Sequence, residues 1–97
     1  MTTLADLITE KTRNFIKFVK GRASDIKSPA ALSAIEIMEK HQDKPADILA
    51  YARGISSYYN GDFAKYYKDL LGDTQLPDSD IKMLRKYFEF YCFIAKQ

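Results

Sequence analysis

Apolar residues recur along this chain at intervals of three and four, with polar residues filling the gaps. Leu4, Leu7, Ile8, Phe15, Phe18 and Val19 share one such stripe, interleaved with Lys11, Arg13, Lys17 and Lys20. Thr3 and Asp6 stand three apart ahead of it, the spacing of a capping box. The pattern predicts a first helix over about 3–20, either stopping near Gly21 or running on toward Ser24. Ser28-Pro29 marks a second start, because serine caps free amides and proline at the first helical position has no amide to leave unpaired. Leu32, Ile35, Met38 and His41 follow at steps of three, giving a helix over about 29–41.

Lys44-Pro45 opens a third helix, with Asp47 in its first turn, where the helix dipole favours an anion. Ile48, Ala52, Ile55 and Tyr59 form its stripe, so Ile55 is expected in the core. Gly54 sits inside this helix, where glycine costs up to about 1 kcal/mol relative to alanine, and a close helix approach is the expected reason. Asn60-Gly61 is a break signal, yet the apolar phase continues through Phe63, Tyr66 and Leu70. A kinked third helix and a clean stop followed by a short extra helix at 62–71 both fit. Asp73 to Pro77 reads as a loop. The last helix spans about 78–95, with Ile81, Leu84, Phe88, Tyr91 and Ala95 on one face.

No segment alternates with period two over a strand's length, so the fold class is all-α. The 97 residues make one domain. Short connections between consecutive helices favour an antiparallel four-helix, up-down-up-down bundle, with or without the extra helix.

Charge changes this picture little in total and more in detail. Fifteen Lys and Arg against thirteen Asp and Glu leave a net +2, too balanced for a dedicated nucleic-acid wrapper. Residues 1–27 hold six basic and three acidic groups, residues 28–80 five and nine, and residues 81–97 four and one. First and last helices are neighbours in an up-and-down bundle, so their basic surfaces could merge into one positive side. A single cysteine, Cys92, forms no internal disulfide and suits a reducing compartment. No apolar run reaches spanning length, and the start Met1 to Asp6 lacks a signal peptide's basic and apolar regions. A cytoplasmic location is the expectation.

Catalysis has few groups to use. His41 is the only histidine and Cys92 the only thiol. They read better as the end of a helical stripe and a small hydrophobe than as a nucleophile and its base. His41 with Glu36, Glu39 and Asp43 would hold a metal only weakly, and no phosphate loop or dinucleotide fingerprint occurs. No enzyme activity, metal or cofactor is expected. Arg13, Lys17 and Lys20 on one face, Lys82, Arg85 and Lys86 on another, and tyrosines Tyr51, Tyr58, Tyr59, Tyr66 and Tyr67 leave a nucleic-acid-binding regulator as the alternative reading. The same basic faces suit contact with an anionic membrane surface.

The last helix carries a surplus. Beyond its core face, Met83, Phe90 and Phe93 form a second apolar stripe, which either packs under a neighbour or serves as an exposed patch for a partner. Lys82, Arg85 and Lys86 flank it with charges that steer an encounter. Lys82, Arg85, Lys86, Phe90 and Phe93 are therefore the candidate partner-binding residues, since aromatic and arginine side chains commonly anchor interfaces.

The run Arg53-Gly54-Ile55-Ser56-Ser57-Tyr58-Tyr59 resembles one in the immunity proteins of pediocin-like (class IIa) bacteriocins. Leu84-Arg85-Lys86-Tyr87, after the acidic start at Asp78 and Asp80, is a second likeness, and the chain length and helical layout agree. The resemblance implies a cytosolic, non-enzymatic antiparallel four-helix bundle. It implies protection of a Gram-positive cell from a pore-forming bacteriocin. The partner it implies is the toxin's membrane receptor, the mannose phosphotransferase permease, engaged from inside with the toxin bound. It also places toxin specificity in the C-terminal half.

Overall fold

The computed structural model describes residues 3–22 and 29–97. Five helices follow one another: α1 (Leu4–Lys20), α2 (Pro29–His41), α3 (Pro45–Tyr59), α4 (Phe63–Leu71) and α5 (Asp78–Ile94). The fold is all-α, with no strand among the described residues. No helix there is long and apolar enough to cross a membrane.

Local chemistry sets most boundaries. Thr3 caps α1 through its side chain, which accepts from the Asp6 amide at 3.1 Å, while Asp6 accepts from the Thr3 amide in return. The Ser28 cap and the extension toward Ser24 lie outside the described residues. Pro45 opens α3 as expected. Between the two readings at Asn60-Gly61, the clean stop is the one observed. Asn60 and Gly61 both take positive φ, 50° and 80°, which ends α3, and Asp62 then caps α4 by accepting from the Lys65 amide at 3.1 Å. Two successive left-handed residues rule out a kinked continuation. The extra helix is thus real, and it turns Phe63, Tyr66 and Leu71 inward.

α3 is the central element and packs against each of the other four helices. α1 and α5 meet through long aromatic side chains. The Phe15 ring stands edge-on to Tyr87 and Tyr91, at 5.1 and 5.9 Å between centroids. Arg22, just past α1, donates to both carboxylate oxygens of Asp80 in the first turn of α5, one contact being 2.7 Å, and also lies over the Phe18 ring. Phe88 of α5 packs on Phe63 and Tyr66 of α4.

The buried faces differ from the expected stripes at specific places. On α1 the inward face is Ile8, Thr12, Phe15, Ile16 and Val19, and Leu4 is exposed. Thr12 reads as polar in sequence, but it is fully buried, with the Tyr91 hydroxyl donating to it at 3.5 Å. On α2, Met38 is fully buried and Ile35 packs against the core as the stripe expects, but Ala31 takes the inward place of Leu32, which is 54 % exposed. On α5, Tyr87 and Ile94 join Leu84, Phe88 and Tyr91 inside, because α1 flanks one side of the helix and α4 the other. Gly54 does not mark a close approach: a Cβ there would meet nothing within 4 Å.

Two of the basic groups expected on a merged positive side lie elsewhere. Arg13 pairs with Asp43, and Lys20 with Glu39 at 3.1 Å. These two basic residues of α1 therefore face α2 and the turn after it, not α5.

Candidate functional site

α5 presents an outward ridge. Counting about 100° per residue, Lys82, Lys86, Glu89 and Phe93 fall on the side opposite Leu84 and Tyr91. Lys82 and Lys86 are exposed, and the Phe93 ring is 56 % exposed. Met83, on the flank of the ridge, is 44 % exposed. Phe90 is placed differently: it is half-buried against the core, its ring 5.8 Å from that of Tyr91. Arg85 turns to the opposite flank, where its guanidinium lies 4.4 Å from the centre of the Phe63 ring. The five candidate residues thus divide among three settings. Lys82, Lys86 and Phe93 share the ridge, Phe90 braces it from beneath, and Arg85 ties α5 to α4.

His41 and Cys92 sit far apart. His41 lies 3.0 Å through Nδ1 from the Asp47 carboxylate in the first turn of α3. Cys92 meets Ser56 near the other end of that helix, nine residues on, or about 14 Å at 1.5 Å per residue. Burial pushes the Cys92 thiol up, although Lys96 and Ser56 counter this. The two side chains do not form a pair. Among the described residues, no three His, Cys, Asp or Glu converge as metal ligands would.

A second surface was not singled out as a unit from the sequence. A groove of about 320 Å³ runs between α2, α3 and α4. Tyr51, Tyr58, Tyr59 and Tyr66 supply its aromatic walls, and Gly54 leaves it open on the α3 side. Burial raises the Tyr51 hydroxyl to about 12, and burial with the nearby Asp69 carboxylate raises Tyr59 equally. Tyr66 is raised well above the usual phenol value, chiefly by burial. These hydroxyls stay neutral across the physiological range. The signal available in the sequence was Tyr51, Gly54 and Tyr58 at steps of three and four, one flank of α3 and separate from its core stripe.

The run Arg53 to Tyr59 straddles two surfaces. Gly54, Ile55, Tyr58 and Tyr59 line the groove, while Ser56 faces Cys92 on α5. Comparison with protein-family models, curated proteins and solved structures gives no match to this chain.

Proposed function

We propose that this protein is a bacteriocin immunity protein that acts by binding rather than by catalysis. In this reading it protects a Gram-positive cell from a class IIa bacteriocin by engaging the mannose phosphotransferase permease, with the toxin bound, from the cytoplasmic side. The likeness of the run Arg53 to Tyr59 carries the reading. The α5 ridge supports it, because an exposed phenylalanine beside two exposed lysines is an aromatic anchor with steering charges next to it. The helical arrangement we propose is an antiparallel bundle of α1, α2, α3 and α5, with α4 as the short extra member. The nucleic-acid alternative loses support from α1, where Arg13 and Lys20 already pair with Asp43 and Glu39.

The test is expression in a sensitive strain, followed by challenge with a panel of class IIa bacteriocins. Survival against at least one member is the expected result. Phe93→Ser, at an exposed position, should keep the fold and lose that protection. A folded, well-expressed protein that protects against no member of the panel overturns the proposal.

A further inference from the structure

We propose that the groove between α2, α3 and α4 is an aromatic cage for a cationic side chain, specifically an arginine presented by a basic peptide. This goes beyond the immunity reading and does not use the α5 ridge.

Three of the four tyrosines are set as walls, not as a stack. Tyr58 stands at 83° to Tyr59 with 4.8 Å between centroids, and Tyr59 stands at 87° to Tyr66 at 5.2 Å. Perpendicular rings make a corner that offers more than one electron-rich face to a guest; the open corner is that of Tyr58 and Tyr59, with Tyr66, 3 % exposed, closing its floor. Such faces attract cations through the ring quadrupole, and arginine uses them more often than lysine. The surface already does this internally: Lys65 Nζ lies 4.4 Å from the centre of the Tyr58 ring and 6.0 Å from that of Tyr59. Lys65 is exposed, so a better-fitting cation can take its place on the Tyr58 ring.

The surrounding charge has the right sign. The structure places the acidic group Asp69 of α4 at the groove. The Tyr59 hydroxyl bonds to the Asp69 carboxylate, which puts a negative charge beside the cage. Gly54 completes the argument. It costs α3 helix propensity, and nothing packs within 4 Å of where its Cβ would be. Its visible effect on the structure is to leave the groove unfilled.

The test titrates the full chain with Nα-acetyl-arginine N-methylamide and, in parallel, with the citrulline counterpart, followed by amide and tyrosine-ring NMR shifts. Citrulline has nearly the same shape without the charge. The arginine compound should shift Gly54 and Tyr58 saturably and bind at least about tenfold more tightly than citrulline. Tyr58→Leu should weaken it by about two- to fivefold, while Tyr58→Phe, which keeps the ring, should not. Gly54→Leu should abolish the shifts by filling the groove, and Lys65→Met should strengthen binding. Equal binding of arginine and citrulline would mean an apolar cavity only and overturns the proposal, as does a Tyr58→Leu protein that binds like the parent. Tyr58 is 64 % exposed, so that variant stays informative even if Gly54→Leu fails to fold. Phe93→Ser should titrate as the parent does, which separates failure here from failure of the immunity reading.

Discussion

Ile55 shows what one residue contributes. It is 7 % exposed and sits between the core and the groove. Deleting a buried isoleucine's outer carbons costs about 2–5 kcal/mol, with the spread set by how far the site can relax. One side of Ile55 already borders open space, so Ile55→Ala should fall near 2 kcal/mol in urea melts; a loss under about 0.5 kcal/mol would put its face outside the core. The tyrosines give a second prediction. Unfolded tyrosine titrates near 10, whereas burial pushes folded Tyr51 and Tyr59 up to about 12 and raises Tyr66 well above 10. Between those values the unfolded chain gives up phenolic protons that the folded chain keeps. Stability is therefore complete below pH about 10 and falls as pH rises toward 12. Urea midpoints at pH 9, 10 and 11 should trace this fall, and it should be shallower in Tyr51→Phe. Lysine titration is common to both proteins, so an unchanged slope would exclude Tyr51 as a contributor. Of these features, the burial of Ile55 was legible in the sequence because it lies on a clear stripe. The burial of Thr12 was not: its hydroxyl looks solvent-facing until Tyr91, seventy-nine residues away, supplies the partner.

Helix boundaries were the most readable feature, since local chemistry decides them. The Thr3–Asp6 box, Pro45 and the loop from Asp73 to Pro77 all act within a few residues of themselves. The Asn60-Gly61 junction was ambiguous for a physical reason. Apolar phase carried through it, and only the two positive φ angles decide between bend and stop. On α2 the stripe places Met38 and Ile35 correctly and Leu32 wrongly, because leucine outweighs alanine in any hydrophobic pattern. Packing instead chose Ala31, and Leu32 was left outside. Gly54 is the clearest case at this scale. With no atom near its absent Cβ, the glycine brings helix cost without a packing return. Gly54→Ala should stabilise the protein by up to about 1 kcal/mol, or a rise in Tm of about 4–8 °C for a domain of this size. Thermal melts followed by circular dichroism would show it; a lower Tm would restore a packing role for the glycine.

At the scale of the molecule, ion pairs set apart some of the basic groups that segment-by-segment charge counting treats alike. Both ends of the chain are basic, yet Arg13 and Lys20 of α1 turn toward Asp43 and Glu39, while Lys82 and Lys86 of α5 remain exposed. Ion pairs between exposed side chains contribute little stability, so their main effect here is on the external field. Lys82 and Lys86 are thus exposed cations beside the apolar side chains Phe93 and Met83. If the protein contacts an anionic membrane surface, as its basic faces suit, the α5 ridge is the face expected to do so. Each lysine near an anionic membrane contributes about 1 kcal/mol, and the attraction fades with added salt. Replacing Lys82 and Lys86 together by glutamine should therefore weaken binding to phosphatidylglycerol-rich vesicles by roughly thirtyfold at low salt. Replacing Arg13 and Lys20 by glutamine should change it far less, since their charges are already compensated by neighbours. Sedimentation with sucrose-loaded vesicles measures both. Equal losses in the two double variants would mean that α1 also faces the lipid, and no loss in either would remove the membrane from the binding surface altogether.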